Sequence, residues 1–190
     1  EFGTKPLTEE LIKKIEKKAG YRHVLLKRKV FFSHRDLDWL LDKHDKGEEF
    51  ALYTGRGPSG QTHLGHLVPW IFCMYLQDAY GAELYFELTD DEKFFFQKDL
   101  ELEQATGYAY ENALDIIALG FDPKKTFLFT DTEYIKTLYP IAAKIAKKVT
   151  LSTAKAVFGF TDETNIGLQF YPALQAAVSF LPSVLKKKNV

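Results

Sequence analysis

One stretch concentrates residues able to do chemistry: Tyr53-Thr54-Gly55-Arg56-Gly57-Pro58-Ser59-Gly60-Gln61-Thr62-His63-Leu64-Gly65-His66. A short apolar run, Phe50 to Tyr53, precedes the turn and reads as a buried strand; Leu67 to Tyr80, apolar and aromatic, follows and reads as a helix. Strand, glycine-rich turn, helix is an arrangement that suits phosphate. Glycines let backbone come close to a ligand, and the first turn of the helix offers unpaired N–H groups at a positive dipole end. His63 and His66 are three residues apart, so at a helix start they share one face. Gly65 between them leaves a bare patch where a flat ring would lie against the backbone. The same features have plainer readings. Such turns are common, and two histidines at this spacing also make a surface pair or half of a metal site. No Cys lies nearby and no acidic ligand stands at helical spacing from the pair, so a metal is the weaker reading and none is expected.

These residues need a scaffold, and the chain is large enough to supply one. It has 190 residues, 46% hydrophobic and 27% charged, which fits one globular domain with a real core rather than a disordered chain. A net charge of −1 gives no global electrostatic case for nucleic acid, so any RNA contact must come from local basic patches. The longest uncharged apolar run, Leu67 to Leu76, is too short to span a bilayer, and nothing at the N-terminus reads as a signal peptide. Cys73 is the single cysteine, which rules out an internal disulfide and fits a reducing, cytoplasmic compartment.

Along the chain, Leu7 to Ala19 reads as a helix with Thr8 as N-cap and Gly20 as C-cap; Lys13, Lys14, Lys17 and Lys18 crowd its outer face, more simply a solvated surface than an RNA patch. Lys27 to Phe32 is basic and then β-like. Ser33 should cap a helix from His34 to about Lys46, with Asp36 in the capping-box position. After the central turn, Glu83 to Thr89 reads as a second strand, Leu102 to Leu119 as a helix ended by Gly120, and Thr126 to Thr130 as a third strand. Glu133 to Val149 reads as a helix interrupted near Pro140, Ser152 to Val157 as a short helix capped by Ser152, and Tyr171 to Phe180 as an apolar helix. The alternation implies βαβ units on a parallel sheet, with the ligand at the carboxyl ends of the strands. The turns at 53–66 and at 87–93 both fall there, which is an independent reason to expect one site.

His63-Leu64-Gly65-His66 resembles the HIGH signature of class I aminoacyl-tRNA synthetases. The run Tyr53 to Ser59 with Thr89-Asp90-Asp91-Glu92-Lys93 resembles the eukaryotic and archaeal type of tryptophanyl-tRNA synthetases, and so do Phe31 to Asp36, Gly159 to Asp162, and Tyr171 to Ala177. The resemblance runs from about Phe2 to Ser183. Several motifs in order are far more specific than the HxGH tetrad, which adenylyl- and cytidylyltransferases also carry.

That resemblance implies an α/β fold, a Rossmann-type, HUP-like parallel sheet with the HIGH motif in its first turn. Residues 1–48 would be a helical and hairpin extension, 49–183 the first half of the catalytic domain, and 184–190 a basic tail or truncation point. It implies activation of tryptophan by ATP, carried as its Mg2+ complex, and transfer to tRNA(Trp), in a protein that is a homodimer when intact. His63, His66, Arg56 and Lys93 would be catalytic; Gly55, Arg56, Gly57, His63, Gly65 and His66 would hold ATP. Tyr53 and Glu87 would read the indole N–H, with Thr89, Glu92 and Gln175 completing the tryptophan site. Taken alone, Glu92 reads as a surface acid, Gln175 as an ordinary helix glutamine and Lys93 as a solvated loop lysine. Glutamate at position 87, where glutamine is common in the family, puts the ionisation of that contact in question. The family's KMSKS loop, second sheet half and anticodon domain are not found in the sequence. The expectation is therefore an incomplete sheet with Phe50 to Tyr53 as an exposed apolar edge, and a chain that self-associates or is marginally folded. The alternative is a non-catalytic homologue that binds tryptophan or ATP weakly.

Overall fold

A computed structural model of the chain describes residues 3–186. Phe2 and the lysines at 187 and 188 lie outside them. The elements in order are β1 (Lys5–Pro6), α1 (Glu9–Ala19), α2 (Val24–Lys27), β2 (Ser33–His34), α3 (Leu37–Asp45), β3 (Ala51–Arg56), α4 (Leu64–Tyr80), β4 (Glu83–Leu88), α5 (Asp90–Phe96), α6 (Leu102–Ala118), β5 (Thr126–Thr130), α7 (Asp131–Ala146), α8 (Leu151–Phe158) and α9 (Ile166–Lys186).

β3, β4 and β5 form a parallel sheet in that order, so β3 stands at one edge of the described sheet, as the sequence suggests. Both faces are covered. On one, Trp70, Leu84, Phe86, Ala109 and Ile116 join β4 to α4 and α6. On the other, Tyr85, Leu138, Ala142, Leu174 and Val178 join β4 to α7 and α9. The period-two alternation of β4 therefore separates two buried faces, and Tyr85 and Glu87, the polar-looking set, are 2% and 1% exposed. A third apolar cluster, Leu11, Ile12, Ile15, Leu26, Leu41 and Tyr75, packs α1 to α3 on the outer side of α4. Phe50 and Ala51 at the start of the edge strand are 6% and 2% exposed, and Trp70, Tyr75, Leu174, Ala177 and Val178 are all buried. Around them, most of Leu67 to Met74 is half-buried with Pro69 exposed, and on α9 Gln175 and Phe180 are exposed.

Several local expectations shift. Val24–Lys27 is helical, started by His23, whose Nδ1 accepts from Leu25 N at 3.2 Å; no residue of the expected β-like stretch, Lys27 to Phe32, is a strand, and the short strand that follows it, Ser33–His34, pairs with β1. Ser33 does not cap α3. Asp36, at φ 58°, occupies the cap without a side-chain bond, and His34 Nδ1 accepts from Leu37 N at 3.2 Å instead. α4 begins at Leu64, three residues early, because His63 caps it. Thr89 leads into a helix, α5, whose first turn carries Asp90, Asp91 and Glu92 against the positive dipole end; Lys93 therefore sits on a helix, not a loop. α7 runs unbroken through Pro140, held by the buried Leu138, Ile141 and Ala142. Thr150, not Ser152, caps α8, and α9 starts five residues before Tyr171.

Candidate active site

The site is built at the carboxyl ends of β3 and β4. In this parallel pair Gly55 stands opposite Glu87, and Tyr53 opposite Tyr85. Tyr53 and Glu87 thus lie diagonally across the same face, and the Tyr53 hydroxyl donates to Glu87 Oε2 at 2.5 Å. Gly55 makes room for this. A Cβ there would stand 3.1 Å from the Glu87 carbonyl oxygen and 3.5 Å from Glu87 Oε2. Burial pushes the Glu87 carboxyl up to about 7, against the downward pull of the Tyr53 hydroxyl and of Asp131. Burial, and then the Glu87 charge, hold the Tyr53 phenol far above its ordinary value. Burial thus favours the neutral form of Glu87, and its hydrogen-bonding neighbours oppose that shift.

The two histidines stand at the start of α4. His63 Nδ1 accepts from Gly65 N and His66 Nδ1 accepts from His63 N, each at 3.2 Å. The pair forms a reciprocal capping box at the start of α4. With both Nδ1 atoms accepting, each neutral ring carries its hydrogen on Nε2. The rings lie 3.7 Å apart, and His66 stacks on the buried Trp70 at 5.9 Å. Burial, with Arg56 and His63 adding to it, lowers the His66 pKa and favours that neutral donor form. A Cβ on Gly65 would press on His63 Cε1 at 3.0 Å, so this glycine lets the two rings close up. The glycine-rich turn itself is tied down from α6, where buried Asn112 donates to the Gly60 carbonyl at 2.9 Å.

Arg56 ends β3, and its carbonyl accepts from Thr89 N at 3.0 Å, joining the two turns. Its Nε is buried without a hydrogen-bond partner, and burial lowers its pKa. Thr89 Oγ1 donates to Glu92 Oε2 at 2.8 Å, and Lys93 Nζ lies 3.7 Å from that same carboxylate. A Cβ on Gly57 would meet Lys93 Cε at 2.3 Å and Glu92 Oε2 at 3.0 Å, which places Gly57, Glu92 and Lys93 together. Gln175 is exposed on α9, one turn beyond the buried Tyr171, and is the expected site residue with no described contact to this group.

Three acids and a tyrosine to which sequence reasoning assigned no site role, Asp131 not being named there at all, complete the arrangement. Asp131, the first residue of α7, is fully buried beside Glu87 and Asp91. Burial pushes Asp91 up to about 6. The Tyr171 hydroxyl is buried without a partner, facing Glu92, Glu87, Asp131 and Asp91. Asp90 plays a different part: it accepts from Thr132 N at 3.2 Å and from Thr106 Oγ1 at 3.2 Å, tying α5 to α6 and α7. The available signal for Asp131 was positional, an acid directly after the third strand, where such sheets bind ligand. Among the described residues, no three His, Cys, Asp or Glu side chains are grouped to hold a metal ion, and no helix is long and apolar enough to cross a membrane.

Known proteins are similar to this chain in sequence and fold. The family described as tRNA synthetases class I (W and Y) matches residues 45–184. A tryptophan–tRNA ligase of Pyrobaculum arsenaticum is 58% identical over 188 residues, 99% of this chain and 50% of the relative. That of Saccharolobus solfataricus is 53% identical, over 100% of this chain and 49% of the relative. Among solved structures, tryptophanyl-tRNA synthetase of Plasmodium falciparum superposes with a TM-score of 0.91 at 46% identity, covering 94% of this chain and 50% of that one. The Encephalitozoon cuniculi tryptophanyl-tRNA synthetase bound to tryptophan gives 0.88 at 41% identity, covering 93% and 49%. The chain spans about half the length of the curated relatives it matches. With the HIGH tetrad capping α4 at the ends of parallel strands, the chain belongs to the class I tRNA synthetases of the tryptophan and tyrosine group.

Proposed function

We propose that the protein activates L-tryptophan with ATP and transfers it to tRNA(Trp). The observation that carries the choice of amino acid is the Tyr53–Glu87 pair, a half-buried phenol within β3 and a buried carboxyl near the end of the adjacent β4. An indole N–H is a donor only, and a buried carboxylate is an acceptor that phenylalanine would leave unpaired. Sites of that kind reject analogues strongly.

In the first step a carboxylate oxygen of tryptophan forms a bond to the α-phosphorus of ATP. The bond to pyrophosphate breaks and the leaving group takes the electron pair, giving tryptophanyl-AMP. No protein nucleophile is required. The protein must align two anions and stabilise charge on pentavalent phosphorus. The Nε2–H groups of His63 and His66, with Arg56 and Lys93, are the donors for that charge. Gly55, Gly57 and Gly65 give ATP its close approach, and its Mg2+ arrives on the phosphates as part of the substrate. Thr89, Glu92 and Gln175 receive the ammonium end of tryptophan. In the second step a hydroxyl of the terminal ribose of tRNA displaces AMP. The working protein is a cytoplasmic homodimer in this reading.

The test is exchange of labelled pyrophosphate into ATP by the protein at its full natural length. Exchange should depend on tryptophan and on none of the other aromatic amino acids. Exchange supported by tyrosine but not tryptophan would overturn the proposal.

A further inference from the structure

Asp131 is 0% exposed, and neither of its oxygens meets an N–H or hydroxyl donor. Its hydrogen-bonding neighbours are two other carboxyls, Glu87 on β4 and Asp91 on α5. A carboxyl–carboxyl hydrogen bond exists only when one partner carries a proton. Asp131 stands between the two, so it is the member that gains most from keeping the proton. Burial, and then the charges of Glu87 and Asp91, push it up to about 12. Glu87 Oε1 has no other donor, while Glu87 Oε2 is taken by Tyr53. The groups facing Glu87 are Tyr53 from β3, Asp91 and Glu92 from α5, Asp131 from α7 and Tyr171 from α9; Lys93 is turned to Glu92 at 3.7 Å.

We propose that Asp131 is a positioning residue for selection of the amino acid: as a neutral acid it donates to Glu87 and keeps that carboxylate charged and ready to accept the indole N–H. The proposal rests on the tryptophan reading of the site and adds to it the residue that sets the charge of the reader. Without a donor behind it, Glu87 would take up a proton at a higher pH. The contact to the indole would then change from charge-assisted to neutral, a loss of about fivefold in affinity.

The test uses the protein at its full natural length with carboxyl 13C labelling of Glu and Asp. NMR follows the Glu87 titration without ligand, and tryptophan binding is measured across the same pH range. Asp131→Leu should move the Glu87 midpoint upward by about one pH unit and carry the acid limb of tryptophan affinity with it. Asp131→Asn keeps a donor and cannot titrate, so its Glu87 midpoint should lie at or below that of wild type, with tryptophan affinity retained. A Glu87 midpoint unmoved in folded Asp131→Leu would overturn the proposal. So would an upward midpoint in Asp131→Asn, which decides the matter if the leucine variant does not fold. Should Glu87 follow Asp131 as expected while the wild-type protein binds no tryptophan, the proton link stands and the tryptophan reading fails.

Discussion

The Tyr53 hydroxyl donates to Glu87 Oε2 at 2.5 Å across two parallel strands; Glu87 is buried, and Tyr53 is half-buried against the core that α7 and α9 form on that face. A phenol committed to that carboxylate leaves Glu87 as the acceptor for a ligand donor. Glu87→Leu should therefore raise the KM for tryptophan and reduce discrimination against phenylalanine, by about ten- to a hundredfold, the worth of a hydrogen bond to a charged group. Steady-state exchange kinetics with both amino acids check this, and unchanged selectivity would mean that Glu87 serves another purpose.

Gly55 separates geometry from charge. Its missing Cβ leaves the space above the Glu87 carbonyl, where an added carbon would stand at 3.1 Å, closer than ordinary van der Waals contact. Gly55→Ala keeps every polar group and should still weaken tryptophan binding, because the two strands carrying Tyr53 and Glu87 must part by a few tenths of an ångström. The melting temperature should fall by only a few degrees, in keeping with about 1 kcal/mol for mild overpacking. Calorimetric titration beside thermal melting distinguishes the two effects.

How much of this was legible beforehand depends on the range of the interaction. The strand–turn–helix around His63 and the strand order are local or topological, and residue type and spacing carry them. The capping role of the histidines was not legible, since His is a weak capping type and the reading placed the helix start at Leu67. Residues 87–93 looked like a turn, although the three acids Asp90, Asp91 and Glu92 favour a helix start there, and α5 begins at Asp90. Asp131, Asp91 and Tyr171 come from three separate elements, α7, α5 and α9, and meet Glu87 only through tertiary packing. No pattern within one segment reports such a meeting.

His63 caps α4, and in the proposed function it also donates to phosphate; a substitution can part the two. Nδ1 caps α4 through Gly65 N, and Nε2–H is free to face phosphate. Asparagine is a strong N-cap, so His63→Asn should melt close to wild type while pyrophosphate exchange falls by about a hundredfold, the cost of one transition-state donor. His63→Ala should lose both, with about 1 kcal/mol off the stability. If His63→Asn retained full exchange, the histidine would be a cap and nothing more.

The buried acids also dictate how stability depends on pH. Glu87, Asp91 and Asp131 all have folded-state pKa values raised above their ordinary ones, by burial first. Between the ordinary carboxylate range and those raised values the folded protein binds more protons than the unfolded chain. The stability these groups contribute is then fully present in acid below about pH 4 and is lost as pH rises. For Glu87 and Asp91 the loss ends near their folded values of about 7 and about 6; for Asp131 it continues toward about 12. Asp131→Asn removes one such proton from the folded state. Its stability relative to wild type should therefore climb with pH, by up to about 1.4 kcal/mol per unit above pH 4. Urea denaturation of both proteins at pH 5, 6, 7 and 8 measures the difference directly. A constant gap across that range would mean that Asp131 is ionised in the folded protein, and the cluster would then hold one more negative charge than its burial allows.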